Sequence, residues 1–112
     1  MVSAKLKQGD IIKLDLNPTK GHEQAGYRPV LVVSNASFSR ASNMVIVCPI
    51  TSTDRKNPLH VPLDGIIIGF VMCDQVRVVD IQARNYKVIE TVDDEVLWEV
   101  CDIVRGAVEM EN

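Results

Sequence analysis

Apolar positions along this chain repeat with two different periods, and the change between them divides it into a strand-rich body and a helical end. From Gly9 to Leu16, GDIIKLDL sets Ile12, Leu14 and Leu16 alternately against Lys13 and Asp15, which is the period-two pattern of a half-buried strand. Arg28 to Ser34 forms the second strand around Val30-Leu31-Val32-Val33, whose β-branched residues favour a pleated, buried setting. The following ASFSRASN reads as a turn or one short helical turn. Met44 to Ile50, MVIVCPI, is a continuous apolar run too short for a typical helix and rich in β-branched residues, so it predicts a strand buried on both faces. It emerges at Thr51-Ser52-Thr53. A polar loop, DRKNP, leads to a short strand over Leu59 to Leu63 and a turn at Asp64-Gly65. Ile67 to Cys73 is a further core strand that delivers Asp74-Gln75 at its end, and short strands over Arg77 to Ile81 and Tyr86 to Ile89 flank the polar QARN.

From Val92 the period changes. Val96, Leu97, Val100, Cys101 and Val104 fall on one face of a helix, and Asp93, Asp94 and Glu95 occupy its first turn, where the helix dipole favours anions. Thr91 is the expected N-cap, Arg105 sits near the end, and Gly106 is the expected stop. Trp98 lies off the apolar stripe, which suits a dimer or partner surface as well as partial core packing. Many short strands with one terminal helix predict a mainly β chain folded as a small, strongly bent β-barrel with a C-terminal α-helix. At 112 residues it is read as one domain over 1–112. The longest apolar run, Ile66 to Met72 broken by Gly69, falls far short of the roughly 20 residues that span a bilayer. With no apolar signal region at MVSAKLKQGD, the expectation is a soluble, cytoplasmic protein without membrane contact. Cys48, Cys73 and Cys101 are odd in number and apolar in surroundings, and are expected to be reduced and buried.

The net charge of -3 argues against a nucleic-acid partner until its distribution is considered. Residues 1–89 hold 11 Lys or Arg against 7 Asp or Glu, whereas 90–112 hold Arg105 against 8 acids, most of them on the wet face of the predicted helix. The body is basic, and steering depends on the local field, so RNA binding by the body stays open beside an ordinary solvated surface. The densest chemistry lies between Asp15 and Ser34, DLNPTKGHEQAGYRPVLVVS. Asn17-Pro18 and Gly21 are turn formers, and Gly26 can supply a left-handed backbone position. Lys20, His22, Glu23, Gln24, Tyr27 and Arg28 then crowd a base, an acid, amides and cations onto one loop above a rigid strand.

The segments GDIIKLDLNPTKGHEQAGYRPVLVVS, VCPITS and GFVMCDQVR, in that order, resemble the MazF/PemK family of bacterial toxins, including its Kid-type members. The resemblance runs from about Gly9 to Gly106, and PTKGHEQAGYRPV is its most specific part. It implies an SH3-like plasmid-toxin barrel that pairs as a homodimer and cuts single-stranded mRNA at short sequences without a metal or other cofactor, together with an antitoxin partner whose extended acidic segment covers the RNA groove. Arg28 matches the arginine of the G-x-R-P-V motif and Thr51 the threonine or serine after the buried central strand, the pair treated as catalytic in MazF-like members. Asp74 and Gln75 match the family's DQ. Where Kid-type members carry an arginine two places before that aspartate, this chain has Met72, which moves the burden onto Arg28. Ile66 to Ile68 replace a segment that is commonly more polar.

Cleaving RNA without a metal requires a base for the 2'-hydroxyl, charge stabilisation for the phosphorane, and a donor for the leaving 5'-oxygen. Glu23 and His22 are candidate bases, Arg28 offers a planar fork suited to phosphate, and Thr51 offers a hydroxyl at a strand end. Asn17, Lys20, Gln24, Tyr27, Ser52, Asp74, Gln75, Arg77 and Arg84 make up the expected RNA-binding set, and Tyr27 or Phe38 is suited to stack a base. Each has a structural rival: Arg28 pinning the loop through Glu23 or Asp74, Thr51 as a turn cap, Asp74 as a buried acceptor for loop N–H groups. Two other classes stand beside the ribonuclease. One is a non-catalytic small barrel that binds RNA or peptide. The other, ranked last, is a metal-dependent nuclease, whose acids Asp15, Glu23, Asp74 and Asp80 lack compact ligand spacing and whose His22 and His60 form no known metal motif.

Overall fold

The computed structural model describes residues 6–15 and 27–111. The expectations placed on Leu16, Asn17-Pro18, Lys20, Gly21, His22, Glu23, Gln24 and Gly26 lie outside those residues. The strands are β1 (Asp10–Asp15), β2 (Tyr27–Val32), β3 (Val45–Thr51), β4 (His60–Asp64), β5 (Ile68–Met72), β6 (Arg77–Val79) and β7 (Tyr86–Thr91). Helix α1 (Ala36–Ser42) follows β2, and α2 (Asp94–Val108) ends the chain. Their antiparallel order is β4-β5-β3-β2-β1-β7, with β6 also paired to β3. The expected bent barrel takes the form of a curled sheet, open between β4 and β7, with the C-terminal helix packed on one face.

The curl originates in β3. One of its edges pairs with β2 from Val47 to Pro49. The other pairs with β6 through Val45 to Val47 and then with β5 through Ile50 and Thr51. Pro49, which has no N–H to give a ladder, falls where the partner on that second edge changes, so a residue that normally argues against a central strand is accommodated. Alternate side chains of β3 enter two separate cores. Cys48 and Ile50 join Ile11, Leu31, Val61, Val71 and Val100, against which Val96, Ile103 and Val104 of α2 pack. Val45 and Val47 join Ile12, Leu14, Val30, Val32, Val79 and Ile81 on the other face. Burial on both faces, as MVIVCPI predicted, is what two cores require. It also extends to β1, where Ile11 and Ile12 are both buried on opposite faces, so the start of that strand is more than half-buried.

Several expectations are corrected. Thr91 closes β7, and its hydroxyl donates to Asp10 Oδ1 at 2.7 Å. The N-cap of α2 is Asp93, whose carboxylate accepts the Val96 N–H at 2.9 Å. Asp10, 1% exposed, also accepts the Lys7 N–H at 3.0 Å, and these two charge-assisted bonds offset the burial of its carboxylate. Gly106 lies inside α2, where an added Cβ would meet open space, and the helix continues to Val108. Helix α1 is longer than one turn because Asn35 caps it on Phe38 N at 2.9 Å and Asn43, left-handed at φ 59°, closes its end. Ile68 points out of the core, and Cys101 is only half-buried. Glu90 belongs to β7; its Oε2 accepts the Ile67 N–H at 2.7 Å and ties down the β4–β5 turn.

Gly69 of β5 lies so near β3 that a Cβ there would stand 2.4 Å from the Thr51 carbonyl oxygen. That neighbour is backbone and cannot turn aside. Gly69→Ala is therefore expected to destabilise the fold by about 1–3 kcal/mol and lower the melting temperature by roughly 5–15 °C, measured by thermal denaturation. A melting temperature within a degree of wild type would contradict this close packing.

Candidate active site

Arg28 and Thr51 reach the same end of the sheet on neighbouring strands. The β1–β2 register pairs Leu14 with Arg28 and Asp15 with Tyr27, which sets both β2 residues at the base of the connection between those strands. The β2–β3 register ends at Val30 opposite Pro49, and Arg28 and Thr51 each lie two residues further along their strands. Strand alternation gives both the face of Val30, Val32, Val45 and Val47. Arg28 is exposed, whereas Thr51 is 7% exposed. Thr51 Oγ1 accepts the Thr53 N–H at 3.2 Å, so Thr51 does cap the turn, and its hydroxyl hydrogen is left to donate elsewhere. Ser52 beside it is exposed. Tyr27, 55% exposed, offers a ring at the mouth of the site, while Phe38 on α1 is half-buried.

A 3₁₀ turn over Cys73–Gln75 follows β5 and packs against β3, and the register continued from Ile50 and Val71 sets Asp74 level with Val47. Asp74 is not the buried acceptor of loop N–H groups that one reading expected. Its side chain is 33% exposed, and Oδ1 lies 2.9 Å from Nε2 of His60. Gln75 is half-buried, and its Oε1 is turned inward without a partner among the described residues. Arg77 opens β6 opposite Val47 and is half-buried. Arg84 donates to the Asp15 carbonyl, so this expected RNA contact fastens the turn after β6 to the end of β1. Met72, at the place of the Kid-type arginine, is fully buried and pairs with His60. His22, Glu23, Asn17, Lys20 and Gln24 lie outside the described residues. Sequence reasoning passed over His60 except as a metal ligand. The signal was available in the Asp64-Gly65 turn, because the hairpin register it sets carries His60 and the chain beyond Met72 to the same end.

Among the described residues no group of three His, Cys, Asp or Glu is placed to hold a metal ion, and no helix is long and apolar enough to cross a membrane. All three cysteines are free. The β3–β5 register, continued from Ile50 and Val71, sets Cys48 opposite Cys73. The neighbouring Cys73 sulfur, together with burial, pushes the Cys48 thiol far up, and the Cys48 thiol in turn draws Cys73 down. Burial raises Cys101, against a smaller opposing pull from Arg105.

A curled, open antiparallel sheet with a C-terminal helix packed on one face defines a β half-barrel, and Arg28 and the sheltered Thr51 lie toward one end of its central strands. The family model described as PemK-like, MazF-like toxin of type II toxin-antitoxin system matches residues 7–107, and the chain belongs to that family. It is 42% identical over 101 residues to endoribonuclease PemK of Escherichia coli, covering 85% of this chain and 76% of the relative. The crystal structure of MazF from Deinococcus radiodurans superposes with a TM-score of 0.85 at 30% identity, over 94% of this chain and 97% of that one. A MazE–MazF crystal structure from the same organism superposes with a TM-score of 0.79 at 30% identity, over 95% and 97%.

The thiols differ enough to be told apart by chemistry. Alkylation of the native protein at neutral pH is expected to label Cys101 before Cys48, because Cys48 is fully buried and its raised pKa leaves almost no thiolate. A mass-spectrometric time course checks this; early labelling of Cys48 would contradict its placement.

Proposed function

We propose that this chain is a sequence-specific endoribonuclease toxin of a type II toxin-antitoxin system. It cuts single-stranded mRNA through attack of the 2'-hydroxyl on the adjacent phosphate, leaving a 2',3'-cyclic phosphate and a 5'-hydroxyl, with no metal in the reaction. The observation that supports the reading is that Arg28 and Thr51 lie toward the same end of neighbouring antiparallel strands, in a chain 42% identical to an endoribonuclease. A planar guanidinium matches the equatorial oxygens of a phosphorane, and a hydroxyl held by the Thr53 N–H is poised to donate to the same centre. Met72 leaves no arginine at the Kid-type position, so Arg28 carries the charge stabilisation. Glu23 or His22 takes the 2'-hydroxyl proton.

Tyr27 stacks a base, and Asn17, Lys20, Gln24, Ser52, Asp74, Gln75 and Arg77 line the path of the strand, with Arg84 shaping it through Asp15. The sheet's open edges and the exposed Trp98 suit a homodimer, and the MazE–MazF relatives support an antitoxin partner that covers the RNA face. The protein acts in the cytoplasm.

Purified protein is expected to cleave single-stranded RNA in the presence of EDTA, and a single deoxyribose at the cut position is expected to abolish that cut. Mapping the fragment ends checks both, and cutting at the deoxy-substituted site would refute attack by the 2'-hydroxyl. Arg28→Ala is expected to slow single-turnover cleavage at saturating protein roughly a hundredfold or more, about 3 kcal/mol, while RNA affinity and thermal melting change little. Arg28→Lys rescues poorly because it keeps the charge without the fork. Near wild-type single-turnover rates for the alanine variant would remove Arg28 from the mechanism.

A further inference from the structure

His60 occupies an interior position that an apolar residue would fill more simply. Its side chain is 4% exposed, and its Nδ1 is buried with no hydrogen-bond partner among the described residues. An orphaned buried polar atom is a cost to the fold that a leucine at the same strand position would avoid. What the imidazole does make is one bond, from Nε2 to Asp74 Oδ1 at 2.9 Å. A carboxylate only accepts, so Nε2 carries the hydrogen. The bond runs diagonally across the β4–β5 hairpin, from the residue paired with Met72 to the turn that follows it. Asp74 is 33% exposed and sits in a turn that packs against β3. A carboxylate at the tip of a short turn samples several rotamers in water; one oxygen held by a buried imidazole leaves the other aimed in a set direction.

We propose that His60 is a positioning residue for sequence choice. It orients the Asp74 carboxylate so that the outward oxygen accepts an N–H at one fixed place on the Watson–Crick edge of a base, which favours bases whose amino or imino hydrogen lies at that place over those that put an acceptor there. This rests on the reading that Asp74 contacts RNA.

The test uses the full-length protein and a long unstructured RNA whose wild-type cut sites have been mapped. His60→Leu is expected to raise the half-saturating RNA concentration roughly tenfold and to widen the set of sequences cut, with the single-turnover rate at saturation within about threefold of wild type. His60→Gln, which keeps a side-chain N–H, is expected to recover much of the affinity and the narrow cut pattern. In an Asp74→Ala background, His60→Leu is expected to add nothing. Thermal melting accompanies each variant, and His60→Met, matched in shape to its cross-strand neighbour, takes the place of leucine if the leucine variant does not fold. Asp74→Ala with wild-type affinity and cut pattern overturns the reading of Asp74 as an RNA contact, and the proposal with it. An impaired Asp74→Ala beside an unaffected His60→Leu overturns the proposal alone, as does a His60→Leu defect that persists undiminished without Asp74.

Discussion

The fold depends on one strand being shared. β3 pairs with β2 on one edge and with β6 and then β5 on the other, and its alternate side chains fill both cores. A strand that changes partners part-way along its length bends the sheet at that point, and Pro49 stands where the change occurs. Because Cys48 and Ile50 pack toward the helix while Val45 and Val47 pack away from it, shifting β3 by one residue would exchange both sets at once. The register is held by two cores together, which is a stronger constraint than either ladder alone.

The candidate site follows from that arrangement. Thr51 is the last residue of β3, and its height is set by the approach of Gly69, where the absence of a side chain lets β5 close on the Thr51 carbonyl. Arg28 comes from the strand on the other side, two residues beyond the last β2–β3 pair. Neither residue is placed by the loop that joins β1 to β2. The arginine and the hydroxyl are therefore fixtures of the sheet.

Most of the architecture was legible in the residues because period-two and period-3.6 patterns were clean. MVIVCPI announced a strand buried on both faces, and the apolar stripe from Val96 to Val104 announced α2. What was misjudged turned on single side chains. Thr91 and Asp93 are both good caps, and only the pull of buried Asp10 on the Thr91 hydroxyl decides between them. Gly106 signals a helix end, yet in an exposed last turn nothing compels the chain to stop there. In the site, Arg28 and Thr51 could be named from motif and position. The inward Gln75 oxygen, the fastening role of Arg84 and the His60–Asp74 bond depend on rotamers and cross-strand register, which the pattern of residue types does not encode.

The pairing of β1 with β7 ties residue 10 to residue 91, and the apolar face beneath α2 is covered only by residues from 94 onward. During synthesis every candidate group from Arg28 to Asp74 therefore leaves the ribosome before the elements that complete the sheet and close its first core. The first core cannot close until residues near 91 and those of α2 have met the strand that begins at Asp10.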